Sequence, residues 1–182
     1  AQERKGLVLL LPFEEGTGKT TKDLSGKENH GEILGGVNWI NGKIGSALEF
    51  DGKSGYVEVS DSDSLKFEKE ITVEFWVRPN ADWANGNWHG LALKGNMGPE
   101  ALGAFAPNFF LFQTHPQDGA NQIEWVYSHV SNDNDWLPSQ SALNVGTWYH
   151  IAGVIDTNDG KLAIYINGEL DAERDIPNEP LQ

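Results

Sequence analysis

The feature that most constrains this chain is its alternation. From Glu70 to Arg78 the sequence reads Glu-Ile-Thr-Val-Glu-Phe-Trp-Val-Arg, and Pro79 ends the run. Side chains on an extended strand point by turns to the two faces of a sheet. Ile71, Val73, Phe75 and Val77 therefore share a core face, and Thr72, Glu74, Trp76 and Arg78 line the other. Segments of this kind recur along the chain, and no long stretch repeats at the 3.6-residue period of a helix. The pattern predicts further strands over 6–13, 31–34, 47–50, 56–59, 91–94, 108–114, 122–130, 148–156 and 162–166.

Turn-forming pairs separate these segments: Asn41-Gly42, Asp51-Gly52, Asp118-Gly119, Asp159-Gly160 and Asn167-Gly168. Asn-Gly accepts the two positive φ angles of a tight hairpin. Asn167-Gly168, set between Ile164-Tyr165-Ile166 and Glu169-Leu170, is the strongest such signal. Many short strands with frequent turns specify an all-β fold, a two-sheet antiparallel sandwich of the jelly-roll kind. With 182 residues and no repeat, linker or low-complexity tract, the chain reads as a single domain over 1–182. Eight Phe, seven Trp and four Tyr supply large surfaces for its core.

Charge narrows the partners. Lys and Arg number 13 against 27 Asp and Glu, a formal net charge of −14. That excludes non-specific nucleic-acid binding, which needs cations to replace phosphate counterions, and it disfavours anionic membrane surfaces. The longest apolar run, Leu7 to Leu11, is strand-sized, so no membrane insertion is expected. Excess carboxylate suits Ca²⁺, a hard cation that takes oxygen ligands. It equally suits a surface kept soluble by charge. No cysteine is present, which removes disulfides, thiolate zinc sites and cysteine nucleophiles together. In a secreted module that absence leans towards a bacterial origin. Ala1 in place of an initiator Met fits a chain whose leader has been removed, or a recombinant piece.

The longest segments without a regular pattern are 80–89 and 131–141. Loops on a rigid β-scaffold are where binding groups concentrate. Trp83, Asn85, Asn87, Trp88 and His89 cluster in the first; Asn132, Asp133, Asn134, Asp135 and Trp136 cluster in the second. Aromatic rings pack on the C–H faces of sugars while amides and carboxylates take the hydroxyls. If the two loops converge at one end of the sandwich, they form a glycan cleft. The bland alternative is that Trp83, Trp88 and Trp136 cap the core, since Trp is highly buried on average. Trp39, Trp76, Trp125 and Trp148 fall in strand patterns and are expected in the core. The histidines show no metal-ligand spacing. His150 reads as a packed residue, and only His89 and His115 are retained as ligand contacts.

Beyond these patterns, a series of motifs runs in order through the chain. Phe13-Glu14-Glu15-Gly16 is followed by Asp23-Leu24-Ser25-Gly26, Asn29-His30-Gly31 and Gly42-Lys43-Ile44-Gly45-Ser46-Ala47-Leu48-Glu49-Phe50-Asp51-Gly52. Tyr56-Val57, the strand Thr72–Pro79, Gly146-Thr147-Trp148-Tyr149-His150-Ile151-Ala152 and Leu162-Ala163-Ile164-Tyr165-Ile166-Asn167-Gly168 complete the set. In this order they resemble the laminin-G-like jelly-roll family, a branch of the concanavalin A-like lectin and glucanase fold.

The resemblance implies one structural Ca²⁺ near the start of the domain. Carried over by motif, its ligands here are Glu14, Asp23 and Asn29, with Asp51 a weaker fourth. Asp and Asn also suit turns without metal, because their short side chains bond nearby backbone. Ser60-Asp61-Ser62-Asp63-Ser64 reads as a solvated turn and lacks the Gly and later Glu of an EF-hand. The resemblance further implies a closing strand with an Ile-Asp-Glu-Val-Arg-like motif, which this chain lacks. A sheet without it exposes an unpaired edge. The expectation is a fragment, or a second polypeptide that completes the sheet by strand addition.

Glucanases of this fold hold two carboxyls at the spacing of a retaining glycosidase, on a Glu-x-Asp-x-x-Glu strand. That pattern is absent here. Glu169, Asp171, Glu173 and Asp175 alternate onto one strand face after the Asn-Gly hairpin, where a solvated edge is the better reading. Glu70 and Glu74 share a face without a third carboxylate. The chain therefore reads as an extracellular or cell-surface, calcium-stabilised, non-catalytic module that binds a glycan or adheres to an extracellular protein. Its alternative is a structural or protein-interaction module completed by another polypeptide, with a glycoside hydrolase third.

Overall fold

A computed structural model describes residues 5–81, 89–95, 110–115, 121–128 and 134–181. Every regular element among them is a β-strand, apart from one 3₁₀ turn at Asp63–Leu65. The chain divides into two compact units, Ala1–Lys66 and Phe67–Gln182.

The first unit holds β1 (Thr20–Thr21), β2 (Gly31–Leu34), β3 (Val37–Asn41), β4 (Ser46–Phe50) and β5 (Tyr56–Val59). β2 lies between β1 and β5 in a three-stranded sheet, and β3 pairs with β4 as a hairpin. All pairings are antiparallel. The segment 6–13, expected to be a strand, is not one. Leu10 donates its N–H to the Asp23 carboxylate at 2.9 Å, and its carbonyl accepts from the Leu24 N–H. Val8 offers its carbonyl to the Ser25 hydroxyl and the Asn29 amide. Phe13, at φ 56°, turns into the left-handed region, which ends any extended run. Side-chain groups, the Asp23 acceptor and the Ser25 and Asn29 donors, thus take backbone groups that a ladder would have used.

The second unit is a two-sheet sandwich. Its strands are β6 (Glu70–Val77), β7 (Gly90–Lys94), β8 (Phe110–His115), β9 (Gln122–Ser128), β10 (Asn134–Pro138), β11 (Tyr149–Asp156), β12 (Lys161–Ile166) and β13 (Glu169–Asp175). One sheet has the order β13-β12-β11-β6, the other β10-β9-β8-β7. β6 alternates between half-buried and exposed along its whole length, as its sequence predicts. Asn167 and Gly168, at φ 54° and 85°, make the two-residue turn between β12 and β13. β10 is a strand where the sequence suggested a loop over 131–141.

The core lies between these two sheets. Phe112, Ile123, Trp125 and Tyr127 meet Ile151, Ile155, Leu162 and Ile164, all fully or almost fully buried. Phe112 stacks on Trp125 with ring centroids 4.2 Å apart, and Phe75 meets Phe112 edge-on at 5.4 Å. Gly153 on β11 makes room for this stack, since a Cβ there would lie 2.5 Å from Phe112 and 2.8 Å from Trp125. β6 is the last strand in its sheet order. Just ahead of it, the Glu68 carbonyl accepts the Leu181 N–H at 2.7 Å.

Candidate binding site

Four of the expected site residues that fall among the described positions come together, in two pairs. In the first unit, Asp23 and Asn29 come together, but as a hydrogen-bonded anchor. The Asp23 carboxylate accepts from the backbone of Leu10, Ser25 and Asn29 and from the Ser25 hydroxyl at 2.6 Å. Burial pushes its carboxyl up, yet the Ser25, Leu10 and Asn29 hydrogen bonds outweigh that and hold it at about 2. Asn29 is likewise occupied: its amide donates to Val8 and Ser64, and its carbonyl oxygen accepts from Ser62.

Glu14 and Asp51 stand apart from this pair. Glu14 faces the Ser46 N–H at 3.4 Å. Asp51 closes its own turn, accepting from the backbone of Lys53, Ser54 and Gly55 and from the Ser54 hydroxyl. Those donors, Ser54 N–H first, hold the Asp51 carboxyl well below the usual range. A cation needs lone pairs aimed at it. At Asp23 and Asn29 the oxygens already face N–H and O–H donors, so these two do not fit as ligands in this arrangement. Among the described residues, no group of three or more His, Cys, Asp or Glu is placed to hold a metal ion.

The second cluster is on β10. Asp135 turns inward beside Tyr127, and Trp136 turns outward with 56% of its surface exposed. Arg174 of β13 reaches across from the other sheet. Its guanidinium lies 3.1 Å from the Asp135 carboxylate and donates to the Trp136 carbonyl at 2.9 Å. Burial pushes the Tyr127 hydroxyl far up, and the nearby Asp135 charge adds to the shift. Trp136 lies opposite Val126 in register, and Pro138 opposite Glu124. Trp136 therefore shares the outer face of its sheet with Glu124, a carboxylate only 5% exposed. Sequence reasoning missed both Arg174 and Glu124. The alternation through Ile123-Glu124-Trp125-Val126 placed Glu124 on the face opposite Trp125, and that was the available signal.

Trp83, Asn87, Trp88, Asn132 and Asp133 lie outside the described residues, as does the side chain of His115. His89 leads into β7 at the end of the sheet where β8 finishes, at His115, and β9 begins. β9 finishes at the opposite end of the sheet, at Ser128, paired with Asn134 of β10. Seven residues of β9 separate the two ends, roughly 20 Å at strand rise. Trp125 is fully buried as expected. Trp76 is not core: it is 46% exposed on the outer face of β6. Trp39 and Trp148 are half-buried; the Trp39 indole donates to Gly18, and the Arg78 guanidinium sits 5.2 Å over Trp148.

Nor do the carboxylates of β13 line one face. The register shifts opposite Ile164 and Tyr165, and Asp171 falls in the bulge. Its carboxylate accepts from the backbone of Gln140 and Ser141. Glu173 and Asp175 are both tied to Lys161, at 2.9 and 2.8 Å. An extra residue in one strand flips the alternation beyond it, which dissolves the apparent acidic row.

The sandwich, the hairpin and the motif order have a counterpart among known families. A laminin-G family model, described as the concanavalin A-like lectin/glucanases superfamily, matches residues 51–182. The chain belongs to this family. No curated protein matches it by sequence. Among solved structures, the binding domain of Paraclostridial Mosquitocidal Protein 1 is 19% identical with a TM-score of 0.72, over 96% of this chain and 43% of that one. This chain thus spans less than half the length of that protein. Domain 4 of AbnA, a GH43 extracellular arabinanase from Geobacillus stearothermophilus in complex with arabinotriose, is 22% identical with a TM-score of 0.55, over 87% and 75%. An S-layer domain-containing protein from Clostridium thermocellum is 21% identical with a TM-score of 0.54, over 92% and 72%. At these identities the likeness establishes the fold. Among the described residues, no helix is long and apolar enough to cross a membrane.

Proposed function

We propose that this concanavalin A-like chain is an extracellular, non-catalytic carbohydrate-binding module. The observation that carries the reading is Trp136: a large indole exposed on an edge strand that Arg174 clamps in place. An exposed ring on a fixed backbone offers a stacking surface at little ordering cost. Asp135 serves the clamp that fixes the backbone beneath the ring. The arabinotriose complex of the AbnA domain supports the ligand class, and the extracellular and S-layer descriptions of two neighbours support the setting. The hydrogen-bonded state of Asp23 and Asn29 leaves this reading independent of calcium.

Calorimetric titration with a panel of neutral plant oligosaccharides tests it. Trp136→Ala is expected to weaken binding about tenfold, equivalent to about 1.4 kcal/mol, with the thermal melt unchanged. Unaltered binding would remove Trp136 from the site, and a variant that no longer folds would return it to a core-capping role.

A further inference from the structure

The other sheet carries a second surface of similar chemistry. On its outer face the register sets Trp76 opposite His150, then Glu74 opposite Ala152, with Ala152 opposite Tyr165 and Tyr165 opposite Leu170. The next row runs Thr72, Val154, Ala163 and Glu173. The indole of Trp76 and the imidazole of His150 lie with centroids 5.4 Å apart. The His150 Nε2 is 3.6 Å from the exposed Glu74 carboxylate, and its backbone N–H is held by the Asn167 side chain.

Ala152 and Ala163 are almost wholly buried although they point outward, so they form a low floor between taller neighbours. Trp76 and Tyr165 stand above that floor on either side of β11. From β6 to β13 the face crosses three strand spacings, roughly 14 Å. The result is a shallow trough with an aromatic rim, an alanine floor and hydrogen-bonding groups beside the rings.

Charge and area select the occupant. Glu74 and Glu173 repel anionic ligands; of the cations on this face, Lys161 is held between Glu173 and Asp175, and Arg78 lies over the Trp148 ring. A stable protein interface buries at least about 1,200 Å². Here the exposed apolar groups, Trp76 and Leu170, are separated by the alanine floor and bordered by carboxylates. We propose that this outer face of the β13-β12-β11-β6 sheet is a second glycan platform, on which a neutral sugar chain stacks against Trp76 and gives its hydroxyls to Glu74 and His150. It shares with the function proposed above only the class of ligand, and stands on different residues.

The test is amide chemical-shift mapping of the ¹⁵N-labelled protein with neutral xylo-, cello- and arabino-oligosaccharides and with oligogalacturonate. Neutral sugars are expected to shift His150, Ala152 and Tyr165, and Trp76→Ala to abolish those shifts with at least tenfold weaker binding. Oligogalacturonate is expected to leave them unmoved. Glu74→Gln, which keeps size and packing, is expected to weaken the same site several-fold and decides the matter should Trp76→Ala not fold. Shifts confined to the Trp136 face would overturn this platform and leave the first site standing. Shifts here with none at Trp136 would do the reverse, and no response to any neutral sugar would end both. Stronger binding of oligogalacturonate, or of a second copy of the chain, would replace the ligand proposed for this face.

Discussion

The two units of this chain are held together by opposite means. In the second, the buried residues are a packed apolar cluster centred on Trp125 and Phe112. In the first, the buried side chains are Thr21, Asp23 and Asn29, with Ile33 the one buried apolar residue among those described. One unit organises itself around rings and the other around a carboxylate that gathers backbone N–H groups. A packed core resists changes in proton activity but not loss of volume. A carboxylate anchor tolerates changes in bulk nearby but depends on its charge.

The contrast can be broken most forcefully in the second unit. Trp125→Ala should cost about 3–5 kcal/mol, the range for emptying a large aromatic site, measured by urea denaturation. A loss under about 1 kcal/mol would mean that the sandwich collapses around the gap, and that its core is less exacting than the stacking suggests.

Acid should act on the first unit. Asp23 is held at about 2 against an ordinary 3.8, so its contribution is complete above about pH 5 and is lost as pH falls through 3.8 towards 2. The unfolded chain takes up the proton first, and the stability lost is about 2 kcal/mol. Denaturation followed through the amides of Leu10 and Asn29 would show it, and Asp23→Asn should remove that part of the pH dependence. An identical acid slope in the variant would assign the effect to other carboxylates.

The smallest effect concerns metal. Because the Asp23 and Asn29 oxygens already accept hydrogen bonds, exhaustive chelation should move Tm by no more than about 1 °C, a ligand that binds only the folded state being needed for more. A larger fall would show that a cation displaces the Ser25 and Ser62 donors and that the first unit is built on a metal after all.

Much of this fold was legible in the sequence, because the core face of a strand is written in period two. β6, β11 and β12 appear where alternation placed them, and Asn167-Gly168 turns as its chemistry requires. What escaped is what depends on distant partners. The 6–13 run is apolar enough for a strand, but Asp23 takes the Leu10 N–H, and Ser25 and Asn29 take the Val8 carbonyl. β10 reads as a polar loop until Arg174 is seen to neutralise the inward Asp135. Trp76 exposes a conflict between two rules. Parity put it on the polar face, hydrophobicity argued for the core, and parity prevailed. The site was less readable than the scaffold, since a stacking surface is made by neighbours in the sheet and not by neighbours in the chain.

The Arg174 clamp also bears on the open edge of its neighbouring sheet. β10 is the outermost strand of its sheet, the position from which sheets recruit further strands. Two residues apart on one strand, backbone groups point the same way, so Trp136 and Pro138 address the same outer rim. There the Trp136 carbonyl is already engaged by Arg174, and Pro138 has no N–H to offer. An arriving strand meets one occupied acceptor and one missing donor in succession. The contact that steadies an exposed indole thereby also blunts the open edge of the sheet.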